Sequence, residues 1–204
     1  RRLHNAPMPF DLVIHTRRLL LRPLQPADVD ALYALHRDPL FMRYWSTPPW
    51  TSDEPARQMV AVDQAAGAGA DWLRLGLVRR DDDALVGSCD LFDHDRQSRR
   101  AMIGYGLAPA QWGQGLMHEA LLALLNHGFT DWGLNRVEAD IDPRNLGSAR
   151  VLERLGFRRE GLLRQRWIVG DEVSDSAWYG LLRSEWRGAG LADAADPPST
   201  GDDA

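Results

Sequence analysis

The stretch Gln111–Phe129, QWGQGLMHEALLALLNHGF, constrains this chain more than any other. Gly113 and Gly115 flank Gln114, and a run of strong helix formers follows at once. Glycine costs backbone entropy against a helix start, so its use there points to a need for bare backbone. The first four N–H groups of a helix lack internal partners and carry the positive end of the macrodipole. A glycine approach to that end lets an anion reach several amides, and phosphate is the usual anion. Two glycines by themselves are also an ordinary tight turn, so the surrounding elements have to decide.

Those elements alternate. LLLRPL (19–24) reads as a strand, and QPADVDALYALHRD as a helix with Val29, Leu32 and Leu35 at helical spacing. SDEPARQMVAVDQAA (52–66) is a second helix with Ser52 as N-cap, ended by Gly67 and Gly69. WSTPPWTS between them is a loop, because Pro48 and Pro49 forbid regular pairing. WLRLGLVRR, LVGSCDLF and AMIGYGLAP form a three-strand meander with polar turns between. The glycine stretch follows the third of these strands and opens a helix. NRVEADID is the next strand, and NLGSARVLERLGF is a helix closed by Gly156 at C′. FRREGLLRQRWIV and VSDSAWYGLLRSEW make a last antiparallel pair around GDE. From Gly188 the chain turns small, polar and acidic, which predicts a disordered tail over 188–204 behind a single domain over 1–187. Strand, glycine turn, helix is the setting in which phosphate binding gains weight. Neither G-x-x-x-x-G-K-[ST] nor an N-terminal G-x-G-x-x-G occurs, which argues against a P-loop nucleotidase and a Rossmann dinucleotide site.

Composition narrows the function classes. The hydrophobic share of 44% and charged share of 26% suit a globular domain. No apolar run approaches the roughly 20 residues of a membrane span and no secretory segment is visible, so a cytoplasmic setting is expected, without a membrane partner. The net charge is −5, and the tail acids Asp193, Asp196, Asp202 and Asp203 account for all but −1 of it. A balanced body argues against nucleic acid as a partner. The basic residues are all Arg. Cys89 is the only cysteine, which excludes an internal disulfide and a multi-cysteine metal site.

WGQGLMHEALLALLNHGF, LNRVEADIDPRNLGSARVLERLGF and DSAWYGLLRSEW together resemble the GCN5-related N-acetyltransferases (GNAT), in particular the RimJ/RimL-type branch. The resemblance runs from about Leu19 to Trp186. It implies an α/β domain with a mixed, mostly antiparallel sheet of about seven strands, splayed between the fourth and fifth and flanked by about four helices. It implies acetyl-CoA as cosubstrate, its pyrophosphate held by the backbone amides of Gly113, Gln114, Gly115, Leu116 and Met117 after Trp112. Its pantetheine would lie in the splay against backbone groups near Gly106, Leu107 and Ile141, like an added strand. Asn145 joins the cofactor set, and Asn is also a favoured N-cap. The acceptor amine, a peptide N-terminus or a small molecule, would enter from the side of the first two helices and the last hairpin.

Departures from the family pattern matter as much. Met117 is bulkier than the usual last residue of the turn. Relatives often place a Tyr where Leu152 stands, and Ser148 is the hydroxyl left to protonate the departing sulfur; a small residue allowing helix packing is its plainer reading. Relatives also place a Glu where Met102 stands in AMIGY, which leaves Asp90 and Glu138 as candidate bases beside the option of a water relay. Trp45, Trp50 and Trp72 are candidate acceptor-groove residues, against satellite core. Asp175 is a candidate substrate contact, against a cap or an Arg partner. His118 reads as a solvated neighbour of the phosphates, and His94 in FDHD as part of a polar turn, so no metal is assigned. The resulting expectation is an N-acetyltransferase, monomeric or homodimeric. The alternative is a non-catalytic CoA-binding regulatory module.

Overall fold

The computed structural model describes residues 12–65 and 71–188. The expected endings of the second helix at Gly67 and Gly69, and nearly all of the expected tail, lie outside them. Eight strands form one sheet: β1 (Ile14–His15), β2 (Leu19–Arg22), β3 (Leu73–Arg79), β4 (Leu85–Asp95), β5 (Arg100–Leu107), β6 (Arg136–Ile141), β7 (Arg158–Val169) and β8 (Glu172–Leu182). Their order is β1-β2-β3-β4-β5-β6-β8-β7, and every pairing except β5 with β6 is antiparallel. The helices are α1 (Val29–His36), α2 (Pro39–Met42), α3 (Glu54–Ala65), α4 (Leu116–Thr130) and α5 (Leu146–Arg154).

Two elements go beyond the sequence expectation. β1 is two residues long and exists through its pairing of Ile14 with Leu21 and His15 with Leu20. α2 is a single turn, started by Pro39 and capped by Asp38, whose carboxylate accepts from the Leu40 amide at 2.8 Å. α3 begins at Glu54, so Asp53 rather than Ser52 stands immediately before it.

Period-2 and period-3.6 patterns together decide the layers. On β5, Ala101, Ile103 and Leu107 are buried in the main core with Leu116, Leu121 and Leu124 of α4 and Leu152 of α5. Gly104 and Gly106 point the other way: a Cβ on Gly106 would stand 2.7 Å from the Phe41 ring and 2.8 Å from Trp45. α1 and α3 build a smaller cluster around Leu24, Leu32 and Val60. The α5 end is closed as expected. Gly156 has φ 94°, its amide reaches the Glu153 carbonyl, and the Phe157 amide reaches that of Leu152, a Schellman motif.

The one parallel pairing positions the site. β5 and β6 are in register only at Arg100–Met102 against Arg136–Glu138, after which the strands part. Ile103–Leu107 and Ala139–Ile141 therefore face a gap with their inner edges unpaired to each other.

Candidate active site

The glycine turn sits at the mouth of that gap. Gly113 has φ 77° and Gly115 φ 75°, left-handed values that glycine adopts without strain. A Cβ on Gly113 would meet nothing within 4 Å, and one on Gly115 only the Arg18 guanidinium at 3.6 Å. Gly115 is the N-cap of α4, and no side chain caps the helix. The first-turn amides are thus presented without a side-chain acceptor, beside open space, which is what a phosphate needs. Arg18 braces the turn from behind. It donates to the Gln114 carbonyl at 2.8 Å and to Glu119 at 2.7 Å, while Thr16 also holds Glu119 at 2.7 Å. No short-range pattern marks Arg18, because its partners are about a hundred positions away.

Met117 is 7% exposed and packs into the main core, so most of its bulk is spent on the sheet rather than on the turn. Trp112 folds back, its indole N–H donating to the Leu107 carbonyl at 2.7 Å, while the residue stays 50% exposed. His118, Arg150 and Arg154 also line the cleft. Burial first and Arg154 second lower the His118 pKa, so it is neutral at pH 7.

The cleft through the gap has a volume of about 1870 Å³. Ligand pockets commonly span ~300–1,000 Å³, so this one has room for two substrates at once. Asn145 caps α5, its Oδ1 accepting from the Ser148 amide at 3.0 Å, and it lines the cleft as well. Ser148 sits one turn on, 9% exposed, with its Oγ 2.6 Å from the Tyr105 hydroxyl. Burial drives the Tyr105 phenol far above its ordinary value, with the Ser148 hydrogen bond opposing and Tyr179 adding a smaller push upward. The phenol therefore stays protonated, and either hydroxyl can donate across the pair; when Tyr105 donates, the serine hydrogen is free to point elsewhere. Tyr105 was not singled out by sequence. Its partner lies 43 positions away, and only the sheet brings them together.

The two candidate bases separate. Asp90 lines the cleft with Ser88 and Phe92, as strand alternation requires. Glu138 does not line it. Arg100 holds its Oε2 at 2.9 Å and Arg136 its Oε1 at 2.7 Å, pinning β5 to β6 at the closed end of the gap. Glu138→Gln is expected to lower stability by about 1–3 kcal/mol, toward the low end because both arginines are partly solvated, and to leave the pH–rate profile unchanged. Urea unfolding and a pH series on the same variant check both parts.

The acceptor-side candidates divide as well. Trp45 and Trp72 line the cleft, and Trp72 lies under the Arg74 guanidinium at 5.5 Å. Trp50 does not line it, being stacked on His36 at 4.0 Å beside the α1–α3 cluster. Asp175 does not line it either. Its carboxylate accepts from the Gln165 amide at 2.8 Å, where β7 is irregular and Gln165 has φ 51°. Asp140, which no sequence motif marks, does line the cleft, holding Ser176 and the Trp167 indole. His94 stacks on Trp132 at 4.8 Å.

The model of the acetyltransferase (GNAT) domain matches residues 18–158. The chain belongs to the GNAT family of acetyltransferases. It is 33% identical over 175 residues to an uncharacterized N-acetyltransferase, p20, of Bacillus licheniformis, covering 86% of this chain and 98% of the relative. It is 36% identical over 176 residues to a putative ribosomal N-acetyltransferase, YdaF, of Bacillus subtilis, covering 83% and 94%. Among solved structures, a GNAT-family acetyltransferase from Bacillus anthracis superposes with a TM-score of 0.75 at 28% identity, over 85% of this chain and all of that one. As a GNAT protein the chain is an N-acetyltransferase and uses acetyl-CoA. The uncapped glycine turn and the splayed strands fit that cosubstrate. Among the described residues, no helix is long and apolar enough to cross a membrane.

Proposed function

We propose that this GNAT enzyme, of RimJ/RimL type, moves acetyl directly from acetyl-CoA to a primary amine, either a protein N-terminal amine or a small molecule. The observation that carries the reading is the Tyr105–Ser148 hydroxyl pair beside the splay, which supplies hydroxyl chemistry although Leu152 stands where relatives often place a Tyr. When bound, acetyl-CoA supplies an activated acetyl thioester. The amides of the glycine turn hold its phosphates, the unpaired edges of β5 and β6 bind its pantetheine arm, and Ser148, oriented by Tyr105, donates a proton to the departing sulfur. Asn145 keeps Ser148 in place through the α5 cap. A relay through a covalent cysteine is disfavoured, because Cys89 is 1% exposed, lies on the core face of β4, and has its thiol driven upward by burial. Trp45, Trp72 and Asp90 face the acceptor. A cytoplasmic setting, where acetyl-CoA is made, suits this chemistry.

The test is release of free CoA thiol with a panel of a peptide beginning Ala, a peptide beginning Ser, spermidine and an aminoglycoside, with the product identified by mass. Turnover on at least one amine with a single added acetyl is expected. Acetyl-CoA binding without turnover on any member would return the non-catalytic alternative.

A further inference from the structure

On the acceptor side of the cleft, three charged residues from three elements meet in a small volume. Arg74 on β3 donates from Nη1 to Oδ1 of Asp63 on α3 at 2.7 Å. The same guanidinium lies 3.8 Å, through Nε, from Oδ2 of Asp90 on β4. Asp63 is 8% exposed, and its second oxygen is buried with no partner. Asp90 turns toward the cleft, its side chain 26% exposed. β5 leaves room for it: Gly104 is its register partner, and a Cβ there would stand 2.2 Å from Asp90 Oδ1. Beside the carboxylate that strand offers Met102 and the backbone amide of Gly104, whose hydrogen bond opposes the effect of burial on Asp90, while its Arg100 and Tyr105 line the cleft farther along. His36 of α1 also feels Arg74: burial lowers its pKa most, the hydrogen bond to the Leu32 carbonyl opposes that, and Arg74 lowers it further.

The charge count is uneven. Two carboxylates share one guanidinium, so the fully ionised cluster carries a net negative charge in a site walled by Trp72, Phe92 and Met102. The orphan oxygen of Asp63 lies behind the cleft lining, where a proton relieves it, while Asp90 is the carboxylate of the pair that an incoming cation can meet. The cation that enters this cleft under the reading above is the acceptor ammonium. We propose that Asp63, Arg74 and Asp90 form the proton-accepting unit of the acceptor site, in which Asp90 meets the ammonium and Asp63 and Arg74 are positioning residues acting through it. Asp63 occupies the guanidinium and so keeps Arg74 from quenching Asp90. The proposal rests on the acetyltransferase reading with an amine acceptor. Burial raises Asp63 to about 6 and also raises Asp90, Arg74 opposing both, which is consistent with one proton held near neutral pH.

The step balances. The ammonium gives one proton to Asp90, and the freed nitrogen lone pair forms the C–N bond to the thioester carbonyl carbon. The C–S bond breaks with its electron pair on sulfur. A second nitrogen proton makes good the one Ser148 gives to sulfur, and Asp90 returns its own to solvent.

Three measurements on the full chain test this. Carbon NMR of carboxyl-labelled aspartate, without any acceptor, should show a carboxyl titrating near pH 6 that moves lower in Asp90→Asn. The pH profile of kcat/KM, taken with whichever panel amine turns over, should shift in opposite directions in two variants. Asp63→Asn frees Arg74 for Asp90 and moves the acidic limb to lower pH. Arg74→Met removes the cation and moves it to higher pH, and Arg74→Lys restores it. The amine's own ionisation is common to all variants, so only the protein group accounts for opposed shifts. Gly104→Ala, which displaces the Asp90 carboxylate and leaves the Asp63–Arg74 pair intact, should lower kcat at least tenfold at saturating acetyl-CoA. All aspartates titrating in the ordinary range, or unmoved limbs in both variants, overturns the proposal. Absence of turnover on every amine sinks the acceptor reading instead, and the NMR titration then decides the cluster alone.

Discussion

Gly115→Glu is expected to abolish acetyl-CoA binding, by at least a hundredfold in Kd, in a protein that remains folded. Two effects coincide at this residue. Its φ of 75° costs a side-chain-bearing residue about 1–2 kcal/mol, a tolerable loss for a domain of ordinary stability. The new carboxylate also lies at the uncapped N-terminus of α4, where it competes with a phosphate for the same amides. Gly115→Ala separates these contributions. It bears the same strain without the charge, its Cβ meets only Arg18 at an ordinary 3.6 Å, and it should keep binding within about tenfold. Calorimetric titration reads the affinity directly, and thermal unfolding reads it independently. Ligand at a hundred times Kd adds about 2.7 kcal/mol to the parent, and that increment should vanish in the Glu variant. Equal acetyl-CoA stabilisation of parent and Gly115→Glu would mean that the turn holds no phosphate.

Ser148→Ala should reduce kcat by about 10²-fold while changing acetyl-CoA affinity little, since general acid catalysis commonly contributes ~10²–10⁴. The hydroxyl acts on sulfur only as the thiolate forms, so its removal is felt in the transition state. Deleting the serine hydroxyl also leaves the part-buried Tyr105 phenol without that partner, which costs about 1 kcal/mol of stability because the residue lines the cleft. Tyr105→Phe should cost less in rate, about tenfold, because the serine proton remains but loses its orientation. The double variant decides between orientation and direct participation. If Tyr105 acts only through Ser148, the double variant turns over like Ser148→Ala and recovers stability, both partners being gone. A double variant slower than Ser148→Ala by a further tenfold would make Tyr105 a proton donor in its own right.

Glu138 and Asp90 show where reading from sequence ends. Both are acids on strands beside the expected gap, and alternation assigns each a face. What alternation omits is the neighbour across the ladder. Arg100 on β5 and Arg136 on β6 itself claim Glu138, whereas Gly104 on β5 leaves Asp90 its space. The tryptophans divide for the same reason. Trp45 and Trp72 border the cleft, while Trp50 is drawn onto His36 by the packing of α1 and α3.

The sequence by itself determined the element order, the glycine turn at the head of α4, the Asn145 cap, the Gly156 closure and the family. Each is a matter of local chemistry. Positive φ selects glycine, an unpaired amide selects a capping oxygen, and burial of one face selects a period of 2 or 3.6. The tertiary structure alone decided which hydroxyl meets Ser148, which arginine braces the turn, and which of two carboxylates faces an open cleft. Tyr105 with Ser148, Arg18 with Glu119 and Asp63 with Arg74 join different elements, the first two pairs 43 and 101 positions apart. Hydrogen bonds and ion pairs of this kind act over a few ångströms in space, and one sequence carries no term that links such distant positions until the sheet has brought them together.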